Sequence, residues 1–151
     1  MSNPNDLEIV VLFDAPRELV FRNWTEAVKM HTWFAPDGSA VTACEVSAHP
    51  GGRWRVEFRA ADGTECLEYG EFREVVEPER LVFTLTHIEG RSVRLETLVT
   101  VTFATVGSST RMTFQQTGFD TPIRRDEHRE GWSECFKKLD AHLVTPWGVR
   151  A

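Results

Sequence analysis

HREGWSECFKKLDAHL, residues 128–143, is the stretch whose reading decides the fold. Trp132, Phe136, Leu139 and Leu143 recur at helical spacing and make one stripe of an amphipathic α-helix, with His128 at its upper end. Glu130, Glu134, Lys137 and Lys138 fill the other side, and Glu134 with Lys138 forms a favourable i,i+4 pair. Upstream, Thr121-Pro122 supplies a cap and a first turn, so the helix should run to Val144 and reach roughly 35 Å. Gly131 is the irregular residue, because a helical glycine costs about 1 kcal/mol relative to alanine. Close approach of a strand or ligand would offset that cost, as would a bend; close approach is the expectation.

A helix this long needs a broad apolar surface beneath it. LEIVVLF (7–13) reads as a strand ending at Asp14-Ala15-Pro16. Val20, Trp24 and Val28 then keep helical spacing, and a second short helical piece is expected from Met30 to Phe34, before the breaker cluster Ala35-Pro36-Asp37-Gly38. After that the period becomes two. Trp54, Val56 and Phe58 alternate with Arg53, Arg55, Glu57 and Arg59, the last group forming a solvated outer face. Strands follow at 65–76, 80–87, 93–105 and 109–118, with another at 39–48. An antiparallel sheet of seven strands must cover one apolar face, and the final helix is long enough to do so. The class is therefore α+β, with the folded core at about 7–144 of a single domain and short flexible tails.

With 151 residues, one domain is the ordinary expectation. Ten Phe and five Trp against one Tyr indicate a large core or the lining of an apolar pocket. A net charge of −6, with no basic run, lacks the footprint of a nucleic-acid or anionic-membrane binder. Cys44, Cys66 and Cys135 are widely spaced and read as reduced thiols of a cytoplasmic protein. No stretch is long and apolar enough to span a membrane, and neither the histidines nor the cysteines have metal-ligand spacing. No cofactor is expected.

The order of strand, two short helices, six strands and long helix resembles the helix-grip fold of the START-like (SRPBCC) superfamily. Local motifs narrow the resemblance. Ala15-Pro16-Arg17, Trp33-Phe34-Ala35-Pro36-Asp37-Gly38, Pro50-Gly51-Gly52-Arg53-Trp54, Gly70-Glu71-Phe72, Pro78-Glu79-Arg80-Leu81-Val82-Phe83, Thr110-Arg111-Met112-Thr113 and His128-Arg129-Glu130-Gly131-Trp132 are similar to the activator of heat-shock protein 90 ATPase homologue-like family. The match spans about residues 7 to 143. It implies an apolar cavity between sheet and final helix. Families on this fold bind lipids or aromatics, cyclise polyketides, or bind proteins.

The wall of such a cavity would come from Trp132, Phe136 and Leu139 on the helix. The sheet would add Trp54, Phe58, Phe72, Phe83, Leu85, Phe103, Phe114 and Gln116, and Trp24, Trp33 and Phe34 would close one end. A solid core is the competing reading for each of them. A three-residue loop at Ala61-Asp62-Gly63 would set Val56 opposite Glu68 and Trp54 opposite Gly70, turning Cys66, Glu68, Gly70 and Phe72 inward; a two-residue loop would turn Leu67 and Tyr69 inward instead, and the glycine opposite a tryptophan favours the first. His87 would then share the inner face, close to Gly70 and diagonal to Glu68, giving the cavity one acid–base pair. Gln116 is placed to orient a ligand's carbonyl or hydroxyl. The reading favoured is a non-catalytic carrier or sensor of a small hydrophobic or aromatic molecule, stress-related in setting. A co-chaperone-like module and an enzyme using Glu68 and His87 are the alternatives, in a monomer or homodimer.

Overall fold

The computed structural model describes residues 5–91 and 93–143. The expected helix end at Val144, the C-terminal tail and most of the N-terminal tail lie outside the described residues. Strand β1 (Leu7–Phe13) leads into helices α1 (Arg17–Thr25) and α2 (Ala27–Met30). Strands β2 (Ala40–Val46), β3 (Arg53–Arg59), β4 (Glu65–Val76), β5 (Arg80–Glu89), β6 (Val93–Val106) and β7 (Ser109–Thr117) follow. Helix α3 (Pro122–Leu143) closes the order. The strands make one antiparallel, curved sheet in the order β1-β7-β6-β5-β4-β3-β2, and α3 lies across it in a helix-grip arrangement.

The final helix begins as its sequence dictates. Thr121 Oγ1 accepts a hydrogen bond from the Arg124 N–H at 3.1 Å, and Pro122 occupies the first helical position. Trp132, Phe136, Leu139 and Leu143 are all buried. The two short helices differ from expectation. Helix α1 ends at Thr25 and α2 is the single turn 27–30, so the helical phase breaks at Glu26. Val28 is consequently 84% exposed, while Phe21 takes the buried place beside Val20 and Trp24.

The core is an interlocked aromatic cluster centred on Trp24. Its indole lies 4.8 Å from Trp33, 5.9 Å from Trp132 and about 6 Å from Phe83, Phe114 and Phe136. Most of these pairs are edge-to-face or tilted, the geometry that lets large rings close-pack. The gap among Trp24, Met30, Phe34, Trp54, Phe72 and Phe83 is too small to hold a water molecule.

Register on the β3–β4 hairpin is as the loop predicts. Ala60 and Thr64 bracket Ala61-Asp62-Gly63, with Gly63 at φ +91°, and Val56 pairs Glu68 while Trp54 pairs Gly70. The glycine is obligatory: a Cβ there would lie 1.7 Å from the Thr84 carbonyl oxygen and 2.8 Å from the Trp54 indole nitrogen. The indole crosses this bare backbone and donates to the Thr84 carbonyl at 3.0 Å.

Two substitutions check this packing. Phe136→Ala should lower the unfolding free energy by about 3–5 kcal/mol in urea titration, as expected for a buried ring. An unchanged midpoint would remove α3 from the core. Gly70→Ala should cost more than about 3 kcal/mol, since the contact it creates is with backbone that cannot step aside.

Candidate functional site

The packed aromatics end at Trp132, and beyond it the space between α3 and the sheet is empty. This cavity has a volume of about 650 Å³ and is partly open to solvent. Arg124, Glu127, His128, Gly131, Trp132 and Cys135 form its helical wall, a set spaced three and four apart and so confined to one face of α3. Phe58, Cys66, Glu68, His87 and Glu89 face them from β3, β4 and β5, and the hairpin loop at 60–62 makes the rim. The remaining wall is the loop Phe34–Ser39.

Glu68 and His87 stand directly opposite one another on β4 and β5, with His87 Nδ1 donating to Glu68 Oε2 at 2.8 Å. The expected diagonal offset, with His87 near Gly70, is not present. The turn pairs Val76 with Arg80, and one extra residue around Arg73 then shifts the ladder so that Phe72 meets Phe83 and Glu68 meets His87. Both side chains are only 9% exposed. Glu89 Oε1 lies 3.5 Å from the other ring nitrogen, His87 Nε2. From α3, the His128 ring approaches the His87 ring at 5.0 Å edge-on and packs on Phe119 at 5.3 Å.

Two charged residues of α3 have a different task from the one their spacing suggests. Glu134 Oε1 accepts the Asp37 N–H at 2.8 Å, and Lys138 Nζ donates to the Ala35 carbonyl. They hold the 35–37 loop against the helix rather than pairing with each other. Gly131 faces the cavity, and a Cβ added there would meet only Pro36, at an ordinary 3.6 Å. The expected close approach of a strand is thus absent; the residue's missing side chain enlarges the cavity.

Of the residues expected to line the cavity, Phe34, Phe58 and Trp132 do so, together with Glu68 and His87. Trp24, Trp33, Trp54, Phe72, Phe83, Leu85, Phe103, Phe114, Phe136 and Leu139 are instead buried in the solid core. Edge-to-face packing closes the space that so many rings were expected to leave open. Gln116 is not free for a ligand. Its Oε1 accepts from Trp132 Nε1 at 2.9 Å and its Nε2 donates to Thr97 Oγ1 at 2.8 Å, which passes on to the Leu85 carbonyl at 3.0 Å. The residues that sequence reasoning missed are His128, Glu89 and the rim carboxylates. His128 had a signal, since it precedes Trp132 by four on the same stripe.

Electrostatics separates the two histidines. A carboxylate only accepts, so His87 carries its hydrogen on Nδ1, and a second proton on Nε2 would face Glu89. Burial opposes that charge, but the hydrogen bonds and charges of Glu68 and Glu89 outweigh it and hold the His87 pKa above its ordinary value. Burial pushes His128 below its ordinary value, with His87 and Arg124 adding to the effect against the opposing pull of Glu68 and Glu89. Burial also raises the thiols, Cys66 to about 11 and Cys135 beyond the ordinary range, so neither is a ready nucleophile. Among the described residues, no group of three His, Cys, Asp or Glu side chains is arranged to hold a metal ion.

Comparison with known proteins bears on the whole arrangement. The family model described as Activator of Hsp90 ATPase homolog 1-like protein matches residues 14–144. Solved structures share the fold over nearly the full length. A protein from Chromobacterium violaceum is 25% identical with a TM-score of 0.81, the alignment covering 92% of this chain and 96% of that one. An AHSA1 protein from Silicibacter pomeroyi is 23% identical with a TM-score of 0.81, covering 91% and 96%. A protein from Mycobacterium smegmatis is 21% identical with a TM-score of 0.80, covering 95% and 92%. No curated protein matches.

The two histidines should titrate apart in an NMR pH series, His87 above and His128 below about 6.5. The linkage signs are opposite. A raised folded pKa makes the His87 contribution complete below about pH 6.5 and lost as pH rises through the folded value. A lowered one makes the His128 contribution complete above about pH 6.5 and lost as pH falls through the folded value. His87→Gln should therefore flatten the alkaline side of the stability profile, and His128→Asn the acid side.

Proposed function

Because the chain belongs to the Activator of Hsp90 ATPase homolog 1-like family, we propose that it binds a small molecule with an apolar, ring-bearing body, as a carrier or sensor. The ligand lies between α3 and the sheet, its body against Phe34, Phe58 and Trp132 and its polar end toward Glu68 and His87. The observation that carries this reading is Gly131. The helix accepts a residue about 1 kcal/mol worse than alanine at a position where alanine would fit, and what it gains is open volume. That volume, about 650 Å³, lies within the usual range for small-molecule sites.

A protein-binding role, which the family's name suggests, would call for a contiguous apolar surface of more than a few hundred Å². The exposed large apolar residues include Val28, Val76 and Ile123 on three separate elements, and Val10 with Leu12 on the outer face of β1. The small-molecule reading has the better geometric support. The free thiols Cys44, Cys66 and Cys135 fit a reducing, cytoplasmic setting.

Gly131→Phe provides the test. Neutral, basic and acidic aromatic compounds titrated into the protein should change indole emission and raise the thermal midpoint. Both responses should vanish in Gly131→Phe, while Gly131→Ala folds with equal or up to about 1 kcal/mol greater stability. Silence across the panel in the unmodified protein would end the small-molecule reading.

A further inference from the structure

We infer that the ligand of this cavity carries an ammonium or comparable strong hydrogen-bond donor, and that Glu68 receives it. The inference rests on the small-molecule reading above and names the class of molecule it takes.

Glu68 is the first reason. His87 engages only its Oε2, at 2.8 Å, and no described residue donates a hydrogen bond to Oε1. The side chain is 9% exposed and lies in the cavity wall. Oε1 is thus an acceptor with no protein donor that stays accessible from the cavity, on a side chain otherwise nine-tenths buried, and a ligand N–H entering there would pair with it. The charge around it is the second reason. Asp37, Asp62, Glu89 and Glu127 also line the cavity, against Arg124 and the two histidines, His87 and His128. Arg124 Nε faces Asp120 at 3.3 Å, and His87 faces Glu68 and Glu89. A carboxylic acid entering this space would meet a wall in which carboxylates outnumber cations. An ammonium would meet attraction from the rim inward.

The rings supply the third reason. Trp132 and Phe34, 5.2 Å apart, line the helical and loop walls, and Phe58 stands beside Glu68 on the sheet wall opposite them. Aromatic faces beside a carboxylate suit an organic cation, whose charge the ring quadrupole attracts while its apolar body is desolvated. A charge-assisted bond to a buried carboxylate is also stronger than a neutral one. The ligand class is thus an aromatic or apolar amine.

Three naphthalene probes of equal body separate the possibilities by calorimetry at pH 7 and low salt: 1-naphthylmethylamine, 1-naphthalenemethanol and 1-naphthoate. The amine should bind about tenfold more tightly than the alcohol, and naphthoate more weakly than either. Glu68→Gln should shrink the amine's margin to about threefold or less while the alcohol still binds. Since Glu68 sits in a buried pair, the rim variant Asp62→Asn/Glu127→Gln serves beside it; it should keep the fold and reduce the margin in part. Naphthoate binding as tightly as the amine, or a margin intact in both variants, would overturn this inference and leave the cavity reading standing. Binding of none of the three would overturn both.

Discussion

The indole N–H of Trp132 bonds to Gln116 at 2.9 Å, and the rest of the interior is arranged around that contact. Gln116 is fully buried and its other end is committed to Thr97, which is committed in turn to the backbone of β5. A relay of this kind tolerates one geometry, because any slip leaves a buried donor or acceptor without a partner. It therefore fixes the rotation of α3 about its own axis. With Trp132 so held, Phe136 and Leu139 point into the rings around Trp24, and His128, Gly131 and Cys135 face open space. One polar bond in an apolar core decides which part of the helix is structure and which part is cavity wall.

The two halves of the interior obey different energetics. On the packed side, burial of rings and edge-to-face contacts dominates, and each truncation leaves a void. On the open side, Glu68 and His87 are charged or readily charged groups removed from water, whose mutual attraction at best offsets their desolvation. Such a pair is poor evidence of a stability device. A buried pair in a cavity, with a second histidine held at the opposite protonation preference, is the pattern of a site.

Much of this was legible in the sequence. The stripe Trp132-Phe136-Leu139-Leu143 gives the final helix and its buried face, and alternation around Trp54 gives the sheet. The register that turns Glu68 inward was half legible: loop length alone left two pairings open, and a glycine opposite Trp54 favoured the one that Ala61-Asp62-Gly63 sets. The direct facing of Glu68 and His87 was not legible. It depends on the irregularity at Arg73, and nothing in ECLEYGEFREVV marks one strand residue as supernumerary. The position of the cavity was hidden for another reason. Aromatic count reports how much area is buried, but whether rings interlock or leave room depends on their mutual angles, which are tertiary. Glu134 and Lys138 show the same limit: helical spacing places them together, yet each finds its partner in a loop some hundred residues away.

That loop gives the cavity uneven mechanical compliance. The wall from β3, β4 and β5 is braced by ladders on both sides, and α3 is locked to the sheet through Gln116. The Phe34–Ser39 wall is anchored to the helix through two polar contacts reaching its backbone. Under the proposed small-molecule reading, a guest too large for the cavity would strain this loop before the sheet or the helix. Tolerance of a guest's length would then be uncoupled from recognition of its polar end at Glu68 and His87.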